Sequence, residues 1–212
     1  MTKRSTRVVL WRHGQTAWNA EGRIQGQYDA KLDDTGRGQA RVAARELALR
    51  QPVAIVSSDL SRCADTAAEL AALTGLTPSY DVRLRERGFG DWETHTRAEV
   101  AVRWPLAFAR WRRGEPIEAA NVETTEAVGE RVSAALVEIV EAYVGATVVV
   151  TTHGGAVRHA IEALLKWPHD MVYSIAPLDN CHWSELRHQP SRGWRLHSHN
   201  VGATATEPGP AR

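Results

Sequence analysis

Two short runs of apolar and β-branched residues constrain this chain more than any other feature, because each ends abruptly in the same kind of tripeptide. Val8-Val9-Leu10-Trp11 runs into Arg12-His13-Gly14, and Thr147 to Thr152 runs into His153-Gly154-Gly155. A short run of this kind, bounded by charge and glycine, reads as a strand buried on both faces. Such strands belong to parallel sheets that are covered by helices above and below.

The chain between them keeps the same rhythm. From Thr35, a cap-type residue, Ala40, Ala43, Ala44 and Leu47 recur at helical spacing to about Arg50, where Pro52 stops the helix. Val53 to Val56 reads as a second buried strand. Ser57-Ser58-Asp59 offers capping side chains for a helix over Leu60 to Leu73, which Gly75 and Pro78 end. Strand, helix, strand, helix predicts an α/β fold: a three-layer sandwich with a mostly parallel central sheet and helices on both faces. Residues 83–123 break the rhythm with scattered glycines and prolines and one predicted helix, Arg97 to Arg113. They read as a helical insertion over the active-site edge of the sheet. Helices over Thr125 to Tyr143 and Ala156 to Lys166 follow, then two late strands, Cys181 to Arg187 and Gly193 to His199, expected to pair as an antiparallel hairpin. The expectation is one domain over 1–201 and a disordered tail over 202–212.

Charge narrows the function. The 212 residues carry 26 Lys plus Arg against 25 Asp plus Glu, a formal net +1, so no bulk field draws the chain to nucleic acid or an anionic membrane. An anionic ligand must therefore meet a local cluster. Two cysteines without CxxC spacing, and the lack of any run of about 18 apolar residues, predict a cytoplasmic protein with no membrane partner.

The predicted topology supplies that cluster. Ligands bind at the carboxyl ends of strands in an open parallel sheet, so His13 and His153 are expected in one crevice. The strand at Val53 to Val56 brings Arg62 to the same edge, one helical turn after Ser57-Ser58-Asp59. Two guanidiniums, two imidazoles and a helix start suit a phosphate. One imidazole can attack phosphorus in line while the other donates to an oxygen that gains charge in the transition state. A carboxyl must still protonate the leaving oxygen, and the candidates lie in the loop Arg85 to Glu93. Within it Asp91 and Glu93, like Asp59, read as loop caps or ion-pair partners.

At this point the residues carry a resemblance. Arg12-His13-Gly14-Gln15-Thr16-Ala17-Trp18-Asn19 with Gly22-Arg23-Ile24-Gln25-Gly26 resembles the opening of the histidine phosphatase superfamily, phosphoglycerate mutase-like branch. Ser57-Ser58-Asp59-Leu60-Ser61-Arg62, Leu84-Arg85-Glu86-Arg87-Gly88 and Thr152-His153-Gly154-Gly155 match the later motifs in order. The resemblance implies that His13 is the nucleophile that becomes phosphohistidine and Glu86 the proton donor. It implies that Arg12, Arg62 and His153 form the phosphate pocket, with Asn19 and Gln25 as further contacts. It implies a small phosphorylated substrate, no metal and no other cofactor, and allows a homodimer. Within the branch, Ser57 to Arg62, the Trp92 region and Trp194-Arg195-Leu196-His197 followed by Asn200 look most like the glucosyl-3-phosphoglycerate phosphatase subgroup.

The sequence departs from the family pattern at two places. Trp92-Glu93 continues as Thr94-His95, and a segment that is usually Gly-Gly-Glu-Ser reads Asn121-Val122-Glu123-Thr124. The longer basic insertion of cofactor-dependent mutases is absent, which favours hydrolysis. Phosphoglycerate mutase action and non-catalytic binding of a phospholigand stay as alternatives. Trp104 and Trp111, seven apart, are expected on the packed face of one helix, with Arg110, Arg112 and Arg113 as a basic face. Gly36-Arg37-Gly38 lacks the third glycine of a dinucleotide fingerprint and reads as a helix start.

Overall fold

The structure is a computed structural model that describes residues 5–117 and 120–203. A six-stranded mixed sheet has the order β3-β2-β4-β1-β5-β6. Its strands are β1 (Thr6–Arg12), β2 (Ala54–Ser57), β3 (Ser79–Tyr80), β4 (Thr147–Thr152), β5 (Trp183–Gln189) and β6 (Gly193–Val201). The pairs β3/β2, β2/β4 and β4/β1 are parallel, whereas β1/β5 and β5/β6 are antiparallel. The sheet is therefore largely parallel, and the late pair forms the expected hairpin.

Alternation along the strands assigns the two faces. Val8 and Leu10 of β1 with Val148 and Val150 of β4 pack against α6 (Thr125–Ala142) and α7 (Gly154–Leu165). Val9, Trp11 and Val149 turn the other way onto α2 (Asp34–Ala48) and α3 (Ser61–Thr74). Fully burying each such side chain contributes about 1.5–3 kcal/mol. Both faces are thus closed, which gives the three layers and explains why these runs are continuously apolar.

The register sets up the site. Arg12 of β1 lies opposite Thr152 of β4, and the His13 N–H extends the ladder by donating to the Thr152 carbonyl at 3.0 Å. The next residue of each chain is a histidine.

The expected helix over Arg97 to Arg113 is corrected by Pro105. The chain forms α4 (Arg97–Arg103), leaves helical geometry at Trp104 (φ −131°, ψ 59°), and restarts as α5 (Pro105–Arg112). A residue before proline is sterically pushed out of the α region, and proline is tolerated at the first helical position. Trp104 therefore sits at the junction and Trp111 on α5, yet both pack on buried Trp92, with ring centroids 6.5 and 6.0 Å away. With Ile24, Val100, Ile117 and Val122 they form a third apolar cluster over the loop end of the sheet.

Other boundaries shift by a residue or two. Asp33, not Thr35, caps α2 by accepting from the Gly36 N–H. Helix α3 has no side-chain cap, so Ser57, Ser58 and Asp59 are free for other partners. The short helix α1 (Ala17–Ala20) and the two-residue β3 carry too little periodicity to announce themselves. Residues 204–212 of the expected tail lie outside the described residues. No described helix is long and apolar enough to cross a membrane.

Candidate active site

A cavity of about 460 Å³ opens at the carboxyl ends of β1, β2 and β4, and Arg12, His13, Asn19, Gln25, Arg62 and Glu86 all line it. These residues come from four separate stretches of chain, brought together by the parallel register. His153, the seventh expected residue, is fully buried just behind the wall, its ring 5.2 Å from that of His13.

His13 is held on every side. Its carbonyl accepts from the Cys181 N–H at 3.2 Å and from Asn180 Nδ2 at 3.1 Å. Its Nδ1 lies 2.7 Å from the Gly14 carbonyl, an acceptor only, so Nδ1 carries the proton and donates. The Nε2 lone pair is left for the cavity. Burial, followed by the charges of Arg62 and Arg12, holds the imidazole well below the usual histidine pKa. His153 is displaced in the same direction by burial, then by Arg62 and His13. Its Nε2 lies 3.0 Å from Ser58 Oγ, which fixes the ring. Ser58 reads as a helix cap in the sequence, and only its place at the end of β2 reveals the partner.

Buried Arg62 and half-buried Arg12 are only partly satisfied. Arg62 is fully buried and donates to the Gly26 and Tyr28 carbonyls at 2.7 and 2.8 Å, while Arg12 donates to the Leu178 carbonyl. The Nε of each has no partner, and neither has a salt-bridge partner among the described residues. Burial lowers the pKa of both guanidiniums. One buried and one half-buried positive charge, each with an inaccessible, unpartnered Nε, are costly unless an anion meets them.

Glu86 reaches the cavity from the loop after β3. Its Oε1 accepts from the backbone N–H groups of Arg87 and Ala156 at 2.8 and 2.9 Å, and Oε2 from Gly155 at 3.0 Å. The acid is thereby seated on the first turn of α7. Asn19 uses its Oδ1 in a capping box with Thr16, which leaves its amide Nδ2 to face the cavity. Gln25 is 8% exposed with Oε1 unpartnered. The other loop carboxylates have structural partners: Asp59 pairs with Arg85 at 2.7 Å, and Glu93 accepts from the Gln27 and Phe89 N–H groups.

The altered segment at Asn121 braces the loop that carries Glu86. Ala120 and Asn121 adopt positive φ, 63° and 54°, the latter a conformation that asparagine tolerates well. Glu123 accepts from the Gly88 N–H at 2.8 Å and pairs with Arg131 at 2.7 Å, fixing the loop that carries Glu86. The sequence reading did not single out Arg158 or Tyr173, which also line the cavity. The signal was available for Arg158, three residues after Gly155 and so on the same face of α7. Among the described residues, no group of three or more His, Cys, Asp or Glu could hold a metal.

Known proteins are similar to this chain in sequence and fold. Glucosyl-3-phosphoglycerate phosphatase of Mycobacterium tuberculosis is 37% identical, with 94% of this chain and 96% of that protein covered. Metal-independent phosphoserine phosphatase of Arabidopsis thaliana is 36% identical over 72% of this chain and 66% of its own length. The solved structure of the mycobacterial glucosyl-3-phosphoglycerate phosphatase with VO3 superposes with a TM-score of 0.85 at 36% identity, covering 92% of this chain and 99% of that one. The family model described as histidine phosphatase superfamily (branch 1) matches residues 8–202, a span that begins within β1 and includes both histidines. A sheet that sets two histidines side by side, one of them sharing a cavity with Arg12 and Arg62, and a family match across nearly the whole chain lead to one assignment: this chain belongs to the histidine phosphatase superfamily, branch 1.

Proposed function

We propose that this chain is a metal-independent phosphomonoesterase that hydrolyses a small phosphorylated metabolite through phosphohistidine at His13. One juxtaposition supports it most: the free Nε2 of His13 shares a cavity with the spare donors of Arg12 and Arg62 and with Glu86. The arginines match the two charges of a phosphate monoester dianion. The Nε2 lone pair attacks phosphorus, the ester P–O bond breaks, and Glu86 gives its proton to the leaving oxygen. The Nδ1–H bond to the Gly14 carbonyl stabilises the charge that the ring acquires. Water then attacks the phosphohistidine and passes a proton to Glu86. The P–N bond breaks, and inorganic phosphate leaves with His13 restored.

Glu86 can hold that proton without losing its seat. Oε1 accepts two N–H groups and serves as the carbonyl oxygen, while Oε2 accepts one and keeps a position for O–H. Asn19 and Gln25 contribute further contacts to the phosphate. Glucosyl-3-phosphoglycerate is the first substrate to test, given the relatives of that name that match 94% of the chain.

The test compares wild type with His13→Ala on 4-nitrophenyl phosphate in the presence of a chelator. Loss of turnover and of acid-labile protein-bound phosphate is expected, and equal rates would refute the proposal. A coupled assay for 2-phosphoglycerate separates hydrolysis from mutase action. Sedimentation of the purified chain tests for a homodimer.

A further inference from the structure

The phosphate pocket uses only two of the arginines that line the cavity, and among the others Arg97 and Arg112 are exposed and Arg158 half-buried, toward its outer side. Seven arginines line the whole, and of these only Arg23 is in an ion pair among the described residues. The single carboxylate in the lining is Glu86, which is occupied by three backbone N–H groups. A phosphate dianion is matched by Arg12 and Arg62, so the outer cations are surplus to it.

Three of the outer arginines are set up to bind. Arg97 lies over the Trp111 ring with its guanidinium carbon 6.0 Å from the centroid, and Arg158 lies 5.6 Å over Tyr173. A planar guanidinium held on an aromatic face loses less freedom when it forms its hydrogen bonds. Arg112 makes the contrast within one stretch of chain. Its neighbours Arg110 and Arg113 both engage Glu115, at 3.7 and 2.6 Å, whereas Arg112 has no carboxylate and lines the cavity. The basic face expected from the sequence is thus divided, with two arginines neutralised locally and one turned to the site.

We propose that Arg97, Arg112 and Arg158 form a second anion subsite, and that this enzyme selects phosphomonoesters carrying another anionic group, a carboxylate or a second phosphate, over esters with a neutral tail. The proposal rests on the phosphatase reading above. The chain as a whole is nearly neutral, at +1, so the concentration of positive charge belongs to the cavity and not to the protein at large.

Matched substrate pairs test it. Glycerol 3-phosphate against 3-phosphoglycerate and glucose 6-phosphate against 6-phosphogluconate probe a carboxylate at two lengths. Fructose 6-phosphate against fructose 1,6-bisphosphate probes a second phosphate. In at least one pair, kcat/KM for the anionic member is expected to exceed that of its neutral mate about tenfold or more, the scale of a charge-assisted contact. That ratio should fall at least threefold in Arg112→Gln or Arg158→Gln, largely through KM, and Arg158→Lys should keep part of it. A ratio is measurable on any residual activity, so partial loss of folded enzyme does not obscure it. Neutral esters turned over as well as their anionic mates in all three pairs, or a ratio unchanged in both glutamine variants, would overturn the subsite. Turnover of 4-nitrophenyl phosphate that depends on His13 is the control for the underlying reaction, and its absence would defeat the phosphatase reading instead.

Discussion

Glu86 and Gly155 are locked together: the Gly155 N–H donates to Glu86 Oε2 at 3.0 Å, and a Cβ on Gly155 would come within 2.5 Å of Glu86 Oε1. The missing side chain makes room for the acid. Gly155→Ala is therefore expected to fold normally, because the flexible carboxylate can retreat, and to lose about 10²-fold in kcat as the donor moves. Glu86→Gln removes the proton and should cost about 10²–10⁴-fold on an alkyl phosphate. On 4-nitrophenyl phosphate, whose leaving group needs no proton, the loss should be much smaller. Equal losses on the two esters would show that Glu86 is not the donor.

The imidazole of His13 is expected to stay neutral in the free enzyme through the range where an ordinary histidine titrates. Burial and the charges of Arg62 and Arg12 all disfavour its proton, with the Gly14 hydrogen bond opposing them. In 15N spectra the ring should appear as the Nδ1–H tautomer and show no midpoint between pH 6 and 7. Vanadate or phosphate in the pocket would offset the two arginines and raise the midpoint. A free-enzyme titration near 6.5 would mean that the ring is not held as the geometry shows.

What could be read from the residues, and what could not, divides along physical lines. The fold was legible because β1 and β4 are buried on both faces, so the runs Val8–Trp11 and Thr147–Thr152 carry no charged residue before Arg12 and His153. The same fact made His13 and His153 legible as a pair, since the parallel register carries both to one edge. Arg62 and Glu86 were recognisable from their motifs. The break at Trp104 follows from Pro105 and was readable, but the aromatic spacing across it suggested one continuous face. Ser58 was mistaken for a cap because a hydroxyl ahead of a helix has that use far more often than a contact with a distant histidine. Arg112 and Arg158 were invisible as a pair because only the tertiary fold brings residues of α5 and α7 to the lining of one cavity, and no local pattern encodes that.

Gly36 and Gly38, two residues apart in α2, should respond to alanine with opposite signs. A Cβ on Gly36 would lie 2.0 Å from the Gln15 carbonyl oxygen, and one on Gly14 would lie 2.4 Å from the Gly36 carbonyl oxygen, so backbone meets backbone. Neither partner can rotate away. Gly36→Ala should destabilise by about 2 kcal/mol or more and displace the loop that carries His13. A methyl group on Gly38 would have no atom within 4 Å, so Gly38→Ala should stabilise by about 0.5–1 kcal/mol through helix propensity. Thermal melts of the two variants check both signs. A neutral Gly36→Ala with full activity would show that the loop and helix are not in this close contact.

His169 is expected to make stability fall as pH rises above neutrality. Its Nδ1 lies 2.6 Å from Glu162 Oε1 and its Nε2 2.9 Å from the Gly114 carbonyl, and neither acceptor carries a hydrogen. Both bonds can form only if the ring is an imidazolium. Burial opposes that proton. The Glu162 and Gly114 bonds, with the charges of Glu162 and Glu126, outweigh it and raise the pKa. The ring also meets the edge of Tyr173, and the other oxygen of Glu162 bonds His159 at 3.0 Å. A raised folded pKa gives a contribution that is complete below about 6.5, the unfolded value, and is lost as pH climbs through the folded value. His13, His153 and His159 are displaced the other way, so they cost stability only as pH falls. Loss on the alkaline side among these four therefore belongs to His169. With its side chain 37% exposed, about 1 kcal/mol is at stake. Melting at pH 6.0 and 8.5 should show a larger drop for wild type than for His169→Gln, and parallel drops would remove His169 as the cause.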